Sequence, residues 1–368
     1  MAQTNPESAR PALPVLQLSG SPEAMGRRHG ERFAHAIRHF AAERLTLAGE
    51  PAWAGRSLPR EAVLRCAENC LAYHRRYAPD LTAELDAMAQ ASGLSSAQML
   101  IVSGFTDFVD TVYSAGAPAP AEADNCTAFL VPGARAEDAP GLFGQTWDMH
   151  ESAAEHAILI DGRPRGGLPF LAFTSVGCLG MIGMNAAGIT VGINNLSAAD
   201  GRPGVTWNFV VRKVLQQERF EDALACITEA PRAGAHNYLL MDAHGAGANV
   251  EATATHCVVT RLADQPLAHT NHCLAPQNRA LERERLPQSQ ASSEARLQRA
   301  RALLSAPPAF TTADLAAITR DTEAICYRGA PPNHVATCGA VIADPGRREL
   351  WALRGLPTEQ HYQRFSLA

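Results

Sequence analysis

The sequence predicts a layered α+β fold in which helices cover two β-sheets. Residues 21 to about 104 have the periodicity of helices, whereas the chain after residue 125 alternates groups of short strands with pairs of helices. Apolar residues make up 46% of the 368 residues, which is enough to fill a substantial core. No repeat of fixed period is present, so a solenoid is excluded.

The N-terminal third is predicted to be helical. The run SPEAMGRRHGERF begins with Ser21, a good helix cap, followed by Pro22 and Glu23 in the first turn. A second helical stretch covers residues 59–94. An alanine- and proline-rich segment, residues 114–124, then separates this part from the first strand and is predicted to be a linker.

The rest of the chain is predicted to contain strands and helices in blocks. The first strands are rich in β-branched or aromatic residues and end in turn residues. They are CTAFLVP, GLFGQTWDM, HAILIDG, LPFLAFTSVG and GITVGINN. Two helices (TWNFVVRKVLQQ, FEDALACITEAP), three strands (NYLLMDAHG, ANVEATATHCVVTRLA, LAHTNHC) and two more helices follow. The final run ATCGAVIADPGRRELWALRG predicts a hairpin around an Asp-Pro-Gly turn.

Charge and composition exclude several classes of function. The net charge is −5, and the most basic region interleaves glutamate with arginine, so no nucleic-acid partner is expected. Residues 166–199 carry no charge, but glycines interrupt them, which indicates buried strands rather than a membrane span. The N-terminus lacks the apolar run of a signal peptide. Nine dispersed cysteines, an odd number, indicate reduced thiols and a cytoplasmic location.

Two groups of residues have spacings that a metal site could use, but neither predicts one. Cys66, Cys70 and His74 recur on one helical face together with apolar residues, so core packing is the better interpretation. The run HTNHC, residues 269–273, is predicted to lie in a strand, where alternation separates its two histidines. No metal or other cofactor is expected.

Cys126 is the cysteine with the most unusual context. In EADNCTAFLVPG, residues 122–133, a polar loop-like segment leads directly to a cysteine that opens an apolar strand. A cysteine there can simply be a small buried hydrophobe. Alternatively, if the preceding peptide bond is cut, its own α-amino group has a pKa of about 7.7 to 8 and can take the thiol proton.

Six motifs, in order, carry a resemblance to a known family. They are LQLSGSPEAMGRRHGERF, DNCTAF, GQTWDM, MNAAGITVGINN, HTNHCL and the final hairpin with GLP. With these motifs the sequence resembles the isopenicillin N acyltransferase (acyl-coenzyme A:aminopenicillanic acid acyltransferase) family of autoproteolytic N-terminal-nucleophile hydrolases. The resemblance implies a four-layer αββα sandwich with a helical N-terminal segment. Residues 1–125 would form the α chain after processing, and residues 126–368 the catalytic β chain.

The resemblance also implies roles for individual residues. Cys126 would be the nucleophile, first cutting the Asn125–Cys126 bond and then attacking the substrate. Asp148 would hold the freed α-amine by a charge-assisted hydrogen bond. The alternative for Asp148 is a solvent-facing carboxylate at the end of a strand. Asn271 would donate its side-chain amide to the oxyanion.

Three further positions are assigned to substrate binding: Trp147, Asn195 and His334. Asn195 is equally interpretable as an asparagine in the turn after a strand. At His334 the chain departs from the family, which has an arginine just before the final hairpin. Since a histidine is mostly neutral at pH 7.5, we expect a pocket that prefers neutral or cationic amides, unless His334 only caps the strand.

The function expected from the sequence is hydrolysis of a small N-acyl amide through a Cys126 thioester by a self-processing enzyme. One alternative is transfer of an acyl group from a thioester or amide to an amine. A second is an unprocessed, non-catalytic binding protein on the same scaffold. The expected partners are a small-molecule amide and the chain's own N-terminal fragment, which would form a heterodimer or a higher assembly; no nucleic acid or membrane is expected to bind.

Overall fold

Helices and two β-sheets make up the fold, and the computed structural model describes residues 12–51, 57–113, 125–329 and 335–367. The first part is mostly helical. It contains β1 (Val15–Gly20), α1 (Pro22–Leu47), α2 (Arg60–Tyr77), α3 (Pro79–Ser92), α4 (Ser96–Ser103) and α5 (Phe105–Tyr113). Ser21 caps α1 as expected, because its side chain accepts a hydrogen bond from the backbone nitrogen of Ala24 at 3.3 Å.

An eight-stranded sheet contains β1 together with the middle of the chain. Its other strands are β4 (Ala157–Pro164), β5 (Phe170–Ser175), β6 (Ile182–Asn185), β7 (Thr190–Asn195), β8 (His236–Met241), β9 (Gly247–Ala252) and β10 (Cys257–Arg261). The strand order is β1-β4-β5-β6-β7-β8-β9-β10. Only β1 and β4 pair in parallel; the other pairs are antiparallel. The N-terminal segment therefore contributes an edge strand to a sheet built by the rest of the chain.

A six-stranded antiparallel sheet contains the strand that begins at Cys126. Its strands are β2 (Asn125–Pro132), β3 (Gly141–His150), β11 (Leu267–His269), β12 (Val335–Asp344), β13 (Glu349–Arg354) and β14 (Gln363–Ser366). The order is β11-β2-β3-β12-β13-β14. In its register, Cys126 lies opposite Trp147 and Asn125 lies opposite Asp148.

Helices lie against both sheets. These are α6 (Trp207–Val214), α7 (Phe220–Thr228), the short α8 (Pro276–Arg279), α9 (Pro287–Ser305) and α10 (Thr312–Thr319). Helices α6 and α7 contact strands of the eight-stranded sheet, and α9 and α10 contact strands of the six-stranded sheet. Strand β2 also contacts β7 and β8, so the two sheets pack against each other.

A buried glutamine joins the two sheets. The side chain of Gln145 in β3 donates to the carbonyl of Ile193 in β7 and accepts from the backbone nitrogen of Ile193 at 3.1 Å. Nearby, the rings of Trp147 and Phe173 meet edge to face with centroids 6.0 Å apart. The apolar faces of the two sheets thus bury each other around Cys126 and its neighbours.

The structure corrects the sequence predictions in two places. The run of residues 248–263 forms two strands, β9 and β10, instead of one. Strand β11 ends at His269, so the prediction that Asn271 lies within a strand is wrong. The carboxylate of Glu251 accepts hydrogen bonds from His269 and from the backbone nitrogens of Leu274 and Ala275, which turns the chain away from the sheet.

Residues 166–199 form β5, β6 and β7 with their turns, as predicted. None of the helices in the described ranges combines the length and apolar character that crossing a bilayer requires. The helical pattern at Cys66, Cys70 and His74 is also a packing pattern, because Cys70 and His74 are buried in the core and His74 bonds to Cys70 and Thr206.

Candidate active site

Cys126 lies at the start of β2, between the two sheets, and is 4% exposed. Its backbone nitrogen donates to Oδ1 of Asn271 at 2.6 Å. Directly paired residues of antiparallel strands point to the same face of a sheet, so the thiol lies on the same face as Trp147. Both side chains line a cavity between the sheets.

Asn271 is fixed by four neighbours. Its Oδ1 accepts from the nitrogen of Cys126 and from Nη2 of Arg296 at 3.0 Å, while its Nδ2 donates to the carbonyl of Asn195 at 2.9 Å. Its own backbone nitrogen donates to Oγ of Ser293 at 2.9 Å. Asn271 is therefore a buried side chain in contact with the candidate nucleophile, as the sequence predicts, although a loop rather than a strand carries it.

Arg296 is a member of this cluster that sequence reasoning missed. It is buried on α9, and its Nη1 donates to the carbonyl of Cys126 and, at 3.2 Å, to Oγ1 of Thr127. Burial lowers the pKa of its guanidinium, while the nearby Asp148 and Cys126 act in the opposite direction. The guanidinium thus holds the backbone of the nucleophile from the side opposite the cavity.

Asp148 lies on that same opposite side. Successive residues of a strand point to opposite faces, so Asp148 and its neighbour Trp147 diverge, and Asp148 faces the Arg296 side of the sheet. Asp148 is completely buried, which is inconsistent with a solvent-facing carboxylate. The thiol of Cys126 therefore faces the cavity, while Asp148 lies behind the strand that carries it.

The cavity beside Cys126 has an empty volume of about 540 Å³ when the open solvent at its mouth is counted, and about 50 Å³ of it is wide enough for the centre of a water molecule. Trp147 and Asn195, both predicted to bind substrate, are among the residues that line it. Most of the other lining residues are apolar or aromatic. The full set of these other residues is Phe40, Arg44, Val102, Ser103, Phe105, Thr106, Met149, Ser175, Met181, Ile193, Trp207 and His236. His334 lies outside the described residues.

The N-terminal segment supplies a large share of this wall. Residues of α1, α4 and α5 line the cavity, and α5 is tied to β8 beside it. Nδ1 of His236 bonds to Asp107 at 2.8 Å and Nε2 of His236 bonds to Thr106 at 3.1 Å. Nothing in the sequence pattern distinguished these residues from the core.

In the described ranges, no group of three or more His, Cys, Asp or Glu side chains could hold a metal ion.

Comparison with protein families gives a match over residues 134–352, more than half of the chain, to the family of acyl-coenzyme A:6-aminopenicillanic acid acyl-transferase. The chain belongs to this family. The predicted relationship is thereby confirmed, and the chain is an enzyme of the class that acts on carbon–nitrogen bonds of amides by hydrolysis or acyl transfer. The matched residues include Asp148, Asn195 and Asn271 but begin after Cys126.

Two solved structures are among those similar to this chain. A mutant of the conjugated bile acid hydrolase from Clostridium perfringens is 10% identical, with a TM-score of 0.42 over 66% of this chain and 97% of that chain. Penicillin V acylase from Agrobacterium tumefaciens is 13% identical, with a TM-score of 0.36 over 65% of this chain and 78% of that chain. Both resemblances are weak, and the family match alone places the chain.

Proposed function

We propose that this enzyme is a self-processing cysteine amidohydrolase that cleaves a small N-acyl amide through a Cys126 thioester. The observation that carries the proposal is the position of Cys126. Its thiol faces a mostly apolar cavity, while Asn271 and Arg296 hold its backbone nitrogen and carbonyl from behind. A purely structural cysteine needs neither the cavity nor the two polar clamps.

In maturation, the Cys126 sulfur would attack the carbonyl carbon of Asn125. A sulfur–carbon bond forms as the peptide carbon–nitrogen bond breaks, and the nitrogen of Cys126 takes up the thiol proton and becomes the free α-amine. Water then hydrolyses the thioester and releases the carboxylate of Asn125. The products would be an α chain of residues 1–125 and a β chain of residues 126–368.

In turnover, the α-amine of Cys126 would take the thiol proton and pass it to the leaving amine of the substrate. Asn271 would hold this amine through Oδ1, which already accepts a hydrogen bond from the same nitrogen. Its Nδ2 gives one hydrogen to the carbonyl of Asn195, and its second hydrogen would serve the oxyanion. Asp148 would bind the amine once it carries a positive charge.

The N-terminal segment would remain bound after cleavage. Buried ion pairs join it to the rest of the chain. Arg212 forms a two-pronged pair with Glu84 at 3.1 Å, and Arg283 pairs with Asp110 at 2.6 Å. Separating the fragments would break these pairs and would expose to water the apolar residues that are packed around them. We therefore propose a stable heterodimer in a four-layer αββα arrangement, with helices outside both sheets.

Hydrolysis is favoured over acyl transfer because water needs no binding site of its own. The thiol and the α-amine together supply nucleophile and base, so the mechanism uses no cofactor. The nine dispersed cysteines, an odd number, support a reducing compartment such as the cytoplasm. Transfer to an amine and a non-catalytic binding role remain the two alternatives, and the experiment below separates them.

The test is the intact mass of the purified protein, combined with amine release from a panel of N-acyl amides. Wild type is expected as two co-purifying fragments divided between Asn125 and Cys126, with amine release. Cys126→Ala should remain one inactive chain, whereas the control Cys257→Ala, on a distant strand, should process normally.

Wild type that stays a single chain while it hydrolyses amides would contradict self-processing. A single chain that binds amides without releasing amine would favour the binding alternative. Acyl transfer would be favoured if amine release required an added acceptor amine.

A further inference from the structure

Trp207 contributes a hydrogen-bond donor to the wall of the cavity that holds Cys126. It is 8% exposed and lines this cavity. Its indole Nε1 is buried and has no acceptor in the part of the chain that the structure describes. A buried tryptophan N–H usually has a partner, and leaving it without one costs stability. An acceptor on a bound ligand would supply that partner.

Two contacts hold this tryptophan in place. At the first residue of α6, the backbone nitrogen of Trp207 donates to Oδ2 of Asp107 at 2.6 Å. The indole ring lies against His236, with ring centres 5.7 Å apart. Oδ1 of Asp107 binds Nδ1 of the same histidine at 2.8 Å, so one carboxylate positions both residues. The donor is therefore preorganised, as a contact that selects a ligand should be.

Neighbouring polar side chains of the wall bond to groups other than the indole. The hydroxyl of Thr106 bonds to Nε2 of His236 at 3.1 Å. The hydroxyl of Ser103 accepts from Nδ2 of Asn208. Neither contact involves Nε1 of Trp207, which leaves the indole N–H to a ligand in the cavity.

A series of contacts leads from Cys126 to Trp207 along the cavity wall. Asn271 joins the backbone nitrogen of Cys126 to the carbonyl of Asn195. Asn195 is the register partner of His236, and paired side chains lie about 5 Å apart. His236 then contacts Trp207. In the proposed reaction the acyl group stays on the sulfur while the amine leaves, so the acyl chain is the part of the substrate that can follow this wall.

We infer that Trp207 selects the acyl group of the substrate by donating its Nε1–H to a neutral acceptor oxygen, such as an ether or carbonyl oxygen, part-way along the acyl chain. This inference rests on the proposed function. An indole has one N–H donor and no charge, so it satisfies one acceptor but does not neutralise a carboxylate. An ionised group is costly to bury in mostly apolar surroundings. The preferred acyl chains would therefore be apolar apart from this oxygen.

The test is an oxygen scan along the acyl chain. Octanoyl anilide is compared with four analogues in which an ether oxygen replaces carbon 4, 5, 6 or 7. An ether oxygen accepts a hydrogen bond but donates none. With each anilide, the sulfur–carbon bond forms as the carbon–nitrogen bond breaks, the thiol proton leaves with aniline, and water releases the acid from the thioester.

Wild type should favour one oxygen position, with kcat/KM about 3- to 10-fold above that of the other ethers, the range of one neutral hydrogen bond. In Trp207→Phe, which keeps an aromatic ring but has no N–H, this maximum should disappear. Trp351→Phe makes the same change on β13, at a residue that is not among the described residues lining the cavity, and should keep the wild-type profile. Intact mass and circular dichroism confirm processing and folding of each variant.

A flat profile in wild type would overturn the inference and leave the proposed function standing, as would a maximum that persists in Trp207→Phe. If Trp207→Phe does not fold, Trp207→Met, which also lacks the donor, should remove the maximum in the same way. If wild type hydrolyses no amide, the proposed function fails. Calorimetry with the five free acids then decides, because equal affinities of the four ether acids would overturn the inference.

Discussion

Asn271 has its side-chain amide oriented by its neighbours. Oδ1 accepts two hydrogen bonds, from the nitrogen of Cys126 and from Arg296, and Nδ2 donates to the carbonyl of Asn195. The reverse orientation would set the NH₂ group against two donors and the oxygen against an acceptor. The amide is therefore preorganised before any substrate arrives, which is what an oxyanion donor needs.

Two substitutions at Asn271 separate its two roles. Asn271→Ala should lower kcat by about 10²-fold or more, since it removes both the amine acceptor and the oxyanion donor. Asn271→Asp keeps an acceptor for the nitrogen of Cys126 and for Arg296 but loses the donor. It should therefore process yet turn over amides slowly.

Fragment masses and kcat on one anilide measure both effects. Unchanged turnover in Asn271→Asp would show that the oxyanion is stabilised elsewhere.

Single residues also show how far the sequence could lead. Cys126, Asp148 and Asn271 could be proposed from the sequence because each stands in a short motif that the family resemblance covers, and their catalytic roles stay predictions. Arg296 is not, because it lies among alternating glutamates and arginines that indicate a solvated helix. Its burial depends on acceptors from other elements, the carbonyl of Cys126 and Oδ1 of Asn271, which no local pattern contains.

Helix α9 is the element that brings Arg296 to the site. Its buried face contains Ser293, Arg296, Leu297, Ala300 and Leu304, spaced three or four residues apart. Oγ of Ser293 accepts from the nitrogen of Asn271, and the carbonyl of Ser293 accepts from Thr270 at 3.0 Å. One face of the helix thus fixes both the arginine and the loop that carries Asn271.

We predict that Arg296→Lys lowers kcat at least 10-fold with little change in helix content. Lysine lacks the planar fork that reaches the carbonyl of Cys126, Thr127 and Asn271 together. Arg301→Lys, at an exposed position of the same helix, is the matched control and should retain full activity. Initial rates and far-ultraviolet circular dichroism check the prediction, which is wrong if the two variants behave alike.

At the scale of helices and strands, strong hydrophobic patterns in the sequence predicted the elements well, and weak patterns did not. The strands from β2 to β5 and the final hairpin are apolar runs between turn residues, and they form where expected. β14 has the sequence QRFS, which lacks an apolar run, and it forms because its backbone pairs with β13, which would otherwise be the edge strand. The early end of β11 depends on Glu251, which comes from a different strand.

At the scale of the whole molecule, two histidines, His29 and His74, are buried in their neutral form. Nε2 of His74 accepts from the backbone nitrogen of Thr206, and burial lowers the pKa of His74 to about 4. Nε2 of His29 accepts from the nitrogen of Gly177, and burial lowers the pKa of His29 to about 3. In the unfolded chain both would titrate near pH 6.5. Below pH 6.5 the unfolded chain therefore binds protons that the folded chain does not.

It follows that stability is lost as the pH falls from about 6.5 to about 4. At about 1.4 kcal/mol per pKa unit, His74 alone accounts for a loss on the order of 3 kcal/mol. Cys126→Ala is expected to be a single chain. Its urea unfolding at pH 7.5, 6.5, 5.5 and 4.5 measures the slope of the free energy of unfolding against pH. Adding His74→Gln should reduce the slope, and the exposed His35→Gln should not. An unchanged slope in both would mean that other groups govern the acid response.

The edge position of β1 affects how this enzyme could refold after it has unfolded. Under the proposed maturation, β1 and the helices after it would be covalently joined to their partners only until the bond before Cys126 is cut. From then on, assembly would become a second-order reaction between two chains, so its yield would depend on concentration. The shorter chain would also have to recover an edge pairing and several buried ion pairs without being tethered to them. The precursor would fold at any dilution, whereas the mature heterodimer would persist mainly because it unfolds slowly.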